Sequence, residues 1–163
     1  DITVKTVVEG TNEELKEILN LENKDSLLVY NSIMEKNALK FIKPLINSKR
    51  FGDLRIGYIK SILAKDKETQ FFALTFFLPN GSLFIAFRGT DATLTGWKED
   101  LNMAHLNIVP SHLKALLYVN TVLDYEDNTP FYIGGHSKGG NLAYFAEMNM
   151  HESHLKYLIK VCL

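Results

Sequence analysis

Gly135-His136-Ser137-Lys138-Gly139 places a serine between two glycines at G-x-S-x-G spacing. In that pattern a sharp strand-to-helix turn projects the serine hydroxyl, and the small flanking residues let the backbone pack closely. Such a hydroxyl can attack an acyl carbonyl, giving a tetrahedral intermediate whose oxygen carries negative charge. Preorganised amides must face that oxygen. The Lys138 amide, next after the nucleophile, supplies one donor, and the second should come from a loop after an earlier strand. Arg88-Gly89-Thr90-Asp91 follows the apolar run SLFIAF and occupies such a place, with Thr90 offering an amide or a hydroxyl. The plainer alternative is that Gly89-Thr90 only ends a strand and turns the chain. GGHSKGG also carries the glycines of a phosphate loop, but Gly140-Asn141 stands where Lys and Ser or Thr are required, so nucleotide binding is disfavoured.

Around this pair of loops stand residues with two readings each. Arg88 could pair with Asp91 or Asp100 and hold the loop while Trp97 covers it. The reading favoured instead is an ordinary surface ion pair, with Trp97 buried at a helix contact. Lys138 sits near a helix start, where its charge opposes the macrodipole; it either attracts an anionic ligand or points into solvent. Gly135, His136 and Gly139 shape the turn, with His136 read as structural.

An activated serine also needs a histidine base and an acid to orient it, usually supplied after the serine in the chain. Downstream stand only Glu147, Glu152, His151 and His154 as candidates, on or just beyond the helix that follows the turn. Triad partners normally come from the ends of later strands, so the base and acid are expected to be missing from this sequence. His151 and His154 are three apart, yet nothing in the spacing forces further ligands to converge; they read as surface histidines, and no metal or other cofactor is expected. His105 and His112 precede the serine and could reach it only by a non-standard route.

The elements that must position these residues follow from the apolar pattern. Thr11-Asn12-Glu13-Glu14 has the form of a capping box, predicting a helix to about Leu19, and a second helix runs from Ser26 toward Lys36. Pro44 interrupts the next segment. From Arg55 the pattern turns to strand: RIGYIKSILA, QFFALTFFL and SLFIAFRG, the last two joined by PNGS as an antiparallel hairpin. Their near-continuous apolar runs predict a central sheet buried on both faces. Pro110-Ser111 opens a helix whose apolar side is Leu113, Leu116, Leu117 and Leu123. FYIG, the serine turn, NLAYFAEMNM and LKYLIKVCL then form a strand, helix and strand with parallel pairing.

One partial α/β domain over 1–163 is expected, with a mainly helical region over 1–54 and a sheet core carrying the serine over 55–163. A hydrophobic fraction of 46% and a charged fraction of 23% are those of a globular chain. The net charge of −1 gives no general reason to bind nucleic acid. The single cysteine, Cys162, precludes an internal disulfide, and neither a signal peptide nor a run of 18 apolar residues is seen. A cytoplasmic protein with no integral membrane segment is expected.

QFFALTFFLPNGSLFIAFRGTDATLTGWKEDLNM, VPSHLKALLYV and GGHSKGGNLAYFA together resemble an uncharacterised bacterial lipase-like α/β-hydrolase family, described by a domain of unknown function and distantly similar to class 3 lipases. The resemblance runs from about Arg55 to the C-terminus. It implies an α/β-hydrolase-like sandwich with a mostly parallel central sheet, Ser137 at the nucleophile position, and Gly89, Thr90 and Asp91 in the oxyanion loop. It makes Trp97, Lys98, Glu99 and Asp100 signature positions without assigning each a job. His112 stands where the pattern has glutamine. In the resembling proteins an acidic segment and then a histidine follow the region of LKYLIKVCL, so Leu163 precedes both. The expected activity is hydrolysis of an acyl ester, either a small molecule or a lipid. Two other readings stay open: a non-catalytic binding domain that keeps the turn for the fold, and a site completed by another chain or by self-association into a homo-oligomer.

Overall fold

The computed structural model describes residues 44, 47–90 and 93–163. The two helices expected before Pro44 lie outside the described residues, as does Asp91. Three strands come first, β1 (Arg55–Ala64), β2 (Thr69–Phe77) and β3 (Leu83–Phe87). Helices α1 (Leu94–Met103) and α2 (Pro110–Tyr125) lead to β4 (Phe131–Gly135). Helix α3 (Lys138–Asn149), a short α4 (Glu152–Leu155) and β5 (Leu158–Cys162) complete the order.

The strands pair as β1-β2-β3-β4-β5 in one sheet. The mostly parallel sheet expected from the sequence does not form. β1–β2 and β2–β3 are antiparallel, and β3–β4 and β4–β5 are parallel, so the sheet is mixed in equal parts. The reason is connection length. A parallel crossover needs about a dozen residues or more, which the helical segments after β3 and β4 provide. Residues 65–68 and 78–82 can only return the chain beside itself, and in the second of these turns Leu78 and Ser82 close the hairpin with a 2.8 Å backbone bond.

One face of the sheet is dry. Phe71 and Ala73 from β2, Leu83, Ile85 and Phe87 from β3, and Phe131 and Ile133 from β4 alternate inward. Ala115, Tyr118, Val119, Val122 and Leu123 of α2 and Leu142, Ala143 and Ala146 of α3 cover them. Each large side chain buried there contributes about 1.5–3 kcal/mol. One expectation is corrected by this packing. Leu113 and Leu117 are 54% and 61% exposed, because the inward stripe of α2 runs through Ala115, Tyr118, Val119 and Val122 instead. The other face is only partly covered among the described residues, where Phe76, Phe84 and Tyr132 form a half-buried aromatic row with neighbouring centroids 6.4 and 6.5 Å apart.

The register of the parallel pair decides where chemistry can occur. Ala86 lies opposite Gly134 and Phe87 opposite Gly135, so β3 and β4 end level. The Arg88-Gly89-Thr90 loop and the His136-Ser137-Lys138 turn therefore emerge side by side at one end of the sheet.

Candidate active site

Ser137 joins β4 to α3 with φ 57° and ψ −123°, a left-handed backbone that a residue with a Cβ adopts only under strain. The turn is closed by the Gly139 amide donating to the His136 carbonyl at 3.0 Å, and α3 begins with the Asn141 amide donating to the Ser137 carbonyl at 3.1 Å. Ser137 is the N-cap residue, yet its hydroxyl makes no capping bond, and the side chain is exposed.

Close packing explains the glycines. A Cβ on Gly139 would sit 2.3 Å from the Phe87 carbonyl oxygen, and one on Gly135 would sit 2.5 Å from that same oxygen. Gly89 presses on the turn from the neighbouring loop: its Cβ would lie 2.9 Å from the His136 carbonyl oxygen and 3.9 Å from Ser137 Cβ. The structure thus sets Gly89 against the serine turn, with Thr90 next in the same loop.

Behind the turn lies a buried polar cluster. Lys138 Nζ donates to Glu99 Oε2 at 2.6 Å, to the Gln70 carbonyl at 2.6 Å and to Gln70 Oε1 at 3.2 Å. Both partners of the ion pair are shielded, with side-chain exposures of 1% and 0%. Glu99 also accepts from the Gln70 amide at 2.9 Å and the Ser111 amide at 3.1 Å. Neither reading of Lys138 from sequence holds: it points neither to solvent nor to an open anion site, because Glu99 neutralises it where the helix dipole would otherwise oppose it. Next to Glu99, Asp100 accepts a hydrogen bond from the Thr90 hydroxyl.

Trp97 is not buried at a helix contact but 64% exposed. Helix α1 turns Thr95, Gly96 and Glu99 inward, so that Glu99 can reach the cluster, and its apolar stripe of Leu94, Trp97 and Leu101 faces outward. Arg88 lies with its guanidinium 4.8 Å from the Phe72 ring centroid, its amide continuing the ladder to Phe72 at 3.0 Å.

No described histidine is bonded to Ser137. His112 is buried and engaged at both nitrogens: the Val109 amide donates to Nδ1 at 3.1 Å, so the proton sits on Nε2 and is donated to Asn141 Oδ1 at 2.6 Å. Its ring stacks on Phe145 at 4.3 Å. His154, read from sequence as a surface residue, is buried at 8% exposure with Nε2 3.2 Å from Asp124 Oδ1, while His151 stays exposed and caps α4 through Ser153. His105 and His136 are exposed. Among the described residues no group of three His, Cys, Asp or Glu could hold a metal ion, and no helix is long and apolar enough to cross a membrane.

Gln70, Ser111 and the His112–Asn141 bond were not read as site features from sequence, and Glu99 was a signature position with no job assigned. The signal available was Lys138 itself, a cation at a helix start that needed a compensating carboxylate.

No curated protein matches the chain. A solved structure of a fungal lipase–inhibitor complex, presented as a model for interfacial activation in lipases, is similar at 17% identity with a TM-score of 0.47. The match covers 90% of this chain and 57% of the lipase chain, so the present chain spans little more than half of that protein's length. The Mbeg1-like family matches residues 45–162, and the chain belongs to that family.

Proposed function

We propose that Ser137 is the acyl-accepting nucleophile of a lipase- or esterase-type serine hydrolase. The observation that carries this reading is the backbone of Ser137: a strained φ of 57° at a strand-to-helix turn, with an exposed hydroxyl that caps nothing. Strain of this kind costs about 1–3 kcal/mol and persists where surrounding structure over-determines it, most often at functional sites. In the reaction Ser137 Oγ attacks the carbonyl carbon of an acyl ester, its proton passes to a base, and the carbonyl oxygen becomes an oxyanion. The Lys138 amide is one donor to that oxygen. Thr90 is the second, and since its hydroxyl proton is committed to Asp100 the amide is the group left for the task. The leaving alcohol departs with a proton, and water then releases the acyl group.

No described residue is bonded to Ser137 Oγ as its base, and that observation favours the second reading, a binding domain that retains the turn. Fluorophosphonate labelling followed by intact mass separates them, with Ser137→Ala as control. Stoichiometric labelling abolished by Ser137→Ala supports the nucleophile and requires a base from another chain or from residues outside those described. A folded protein that stays unmodified rejects hydrolysis by this chain.

A further inference from the structure

Resting on the nucleophile reading, we infer that the buried Lys138–Glu99 ion pair is a positioning device that fixes the Lys138 amide in the oxyanion cradle. An ammonium has three N–H donors, and here all three have acceptors, Glu99 Oε2, the Gln70 carbonyl and Gln70 Oε1. One arrangement of the side chain therefore satisfies it. Glu99 is itself fixed by amides from two other elements, Gln70 at the start of β2 and Ser111 in the first turn of α2. The side chain of residue 138 thus ties the first turn of α3 to α1, α2 and β2 at once, while its backbone amide stands beside Ser137.

Glu99 has a structural task, accepting the buried Gln70 and Ser111 amides, but that task does not call for a charged partner at 138. A buried ion pair is generally no more stabilising than apolar side chains of similar volume, whereas removing one partner leaves an uncompensated charge. What an ion pair with every donor used supplies is direction. An amide that must meet a developing oxyanion gains from direction, since loss of one such donor lowers rates by about 10²–10³-fold and a misplacement of about 1 Å by about 10²-fold.

The test compares the wild-type chain with Lys138→Leu, Glu99→Leu and the double variant carrying both. Each single variant is expected to be less stable, and the double variant to lose less than the two single losses summed, since it removes both charges but leaves the Gln70 and Ser111 amides without their Glu99 acceptor. The rate of fluorophosphonate labelling in the folded double variant is expected to fall by about 10-fold or more, which a merely structural pair would not produce. The second readout is the ¹⁵N relaxation order parameter of the amide at 138, expected to drop from the rigid range near 0.85 toward 0.6 in the double variant while the strands stay rigid. A double variant that labels at the wild-type rate with a rigid amide overturns the inference. If the wild-type protein does not label, the nucleophile reading fails separately, and the order parameter alone then decides whether the pair positions the turn.

Discussion

Replacing Ser137 by glycine should make the protein more stable. At an ordinary helix N-cap a serine accepts a bond from the first turn, and glycine is worse by a few tenths of a kcal/mol. Ser137 makes no such bond, so nothing of that kind is lost. What glycine removes is the clash of a Cβ at φ 57° and ψ −123°, strain of about 1–3 kcal/mol. Against this stands the greater freedom of glycine in the unfolded chain, about 0.5–1 kcal/mol. The difference leaves a gain of about 0–2.5 kcal/mol, with a central value near 1 kcal/mol. With a urea slope of about 2 kcal/mol/M, the unfolding midpoint should rise by about 0.5 M, and by no more than about 1.25 M, at unchanged slope. Ser137→Ala, which keeps the Cβ, should not rise. A midpoint for Ser137→Gly at or below that of the wild-type protein would refute the claim that this turn is strained.

The glycine beside it should behave in the opposite sense: Gly139→Ala puts a Cβ 2.3 Å from the Phe87 carbonyl and should lower stability by about 1–3 kcal/mol in the same urea assay. His112→Ala leaves the Val109 amide and Asn141 without their shared partner and should cost roughly 1–3 kcal/mol, yet Ser137 should still label with fluorophosphonate if the ring is not the base. Burial holds the Tyr118 hydroxyl well above its ordinary pKa of 10.0, outweighing the opposing bond to Thr75. That contribution is complete below about pH 10 and is lost as pH rises toward the folded-state value, so urea midpoints measured from pH 9 to 12 should fall more steeply for the wild-type protein than for Tyr118→Phe. Tyr58, raised to about 12 first by burial and then by its 2.7 Å bond to Glu126, should give a high-pH step in an ultraviolet titration that Tyr58→Phe loses; an unchanged high-pH step in Tyr58→Phe would contradict that assignment.

Local patterns in the sequence carried far where they were governed by neighbours in the chain. The hairpin at PNGS, the strand–turn–helix around Ser137 and the close approach of Gly89 all depend on short connections and small residues. The mostly parallel sheet implied by the family resemblance fails at β1–β2 and β2–β3, whose short turns require antiparallel pairing. Side-chain direction was the other weak point. Four leucines made an apolar stripe on α2 that looked like its core face, but Leu113 and Leu117 lie outside while Tyr118 reaches in to share a 2.9 Å bond with Thr75. Helix α1 reverses the usual rule, with Glu99 inside and Trp97 outside, because a distant lysine required the carboxylate. Periodicity cannot report a partner that lies 39 residues away.

Two features at positions 137 and 138 bear on the proposed nucleophile reading. A fold that needed only the bend could hold glycine at 137, which fits its backbone without strain, and uncharged side chains at 138 and 99, with a neutral acceptor at 99 for the Gln70 and Ser111 amides and no desolvation of charge. The chain instead keeps a strained serine with its hydroxyl in solvent and, directly behind it, an ammonium whose three donors are all directed. Each departs from the most stable choice, and the two meet where β3 and β4 end level with each other. Under the proposed reading, the strained serine and the tethered adjacent amide would face one carbonyl group. The comparison of Ser137→Gly with the Lys138→Leu and Glu99→Leu double variant therefore has a joint expectation: both lose reactivity toward fluorophosphonate, and only Ser137→Gly gains stability. If Ser137→Gly remains as reactive as the wild-type protein, the nucleophile reading fails and the binding-domain reading takes its place; if only the double variant does, the ion pair is scaffold and the serine remains the nucleophile.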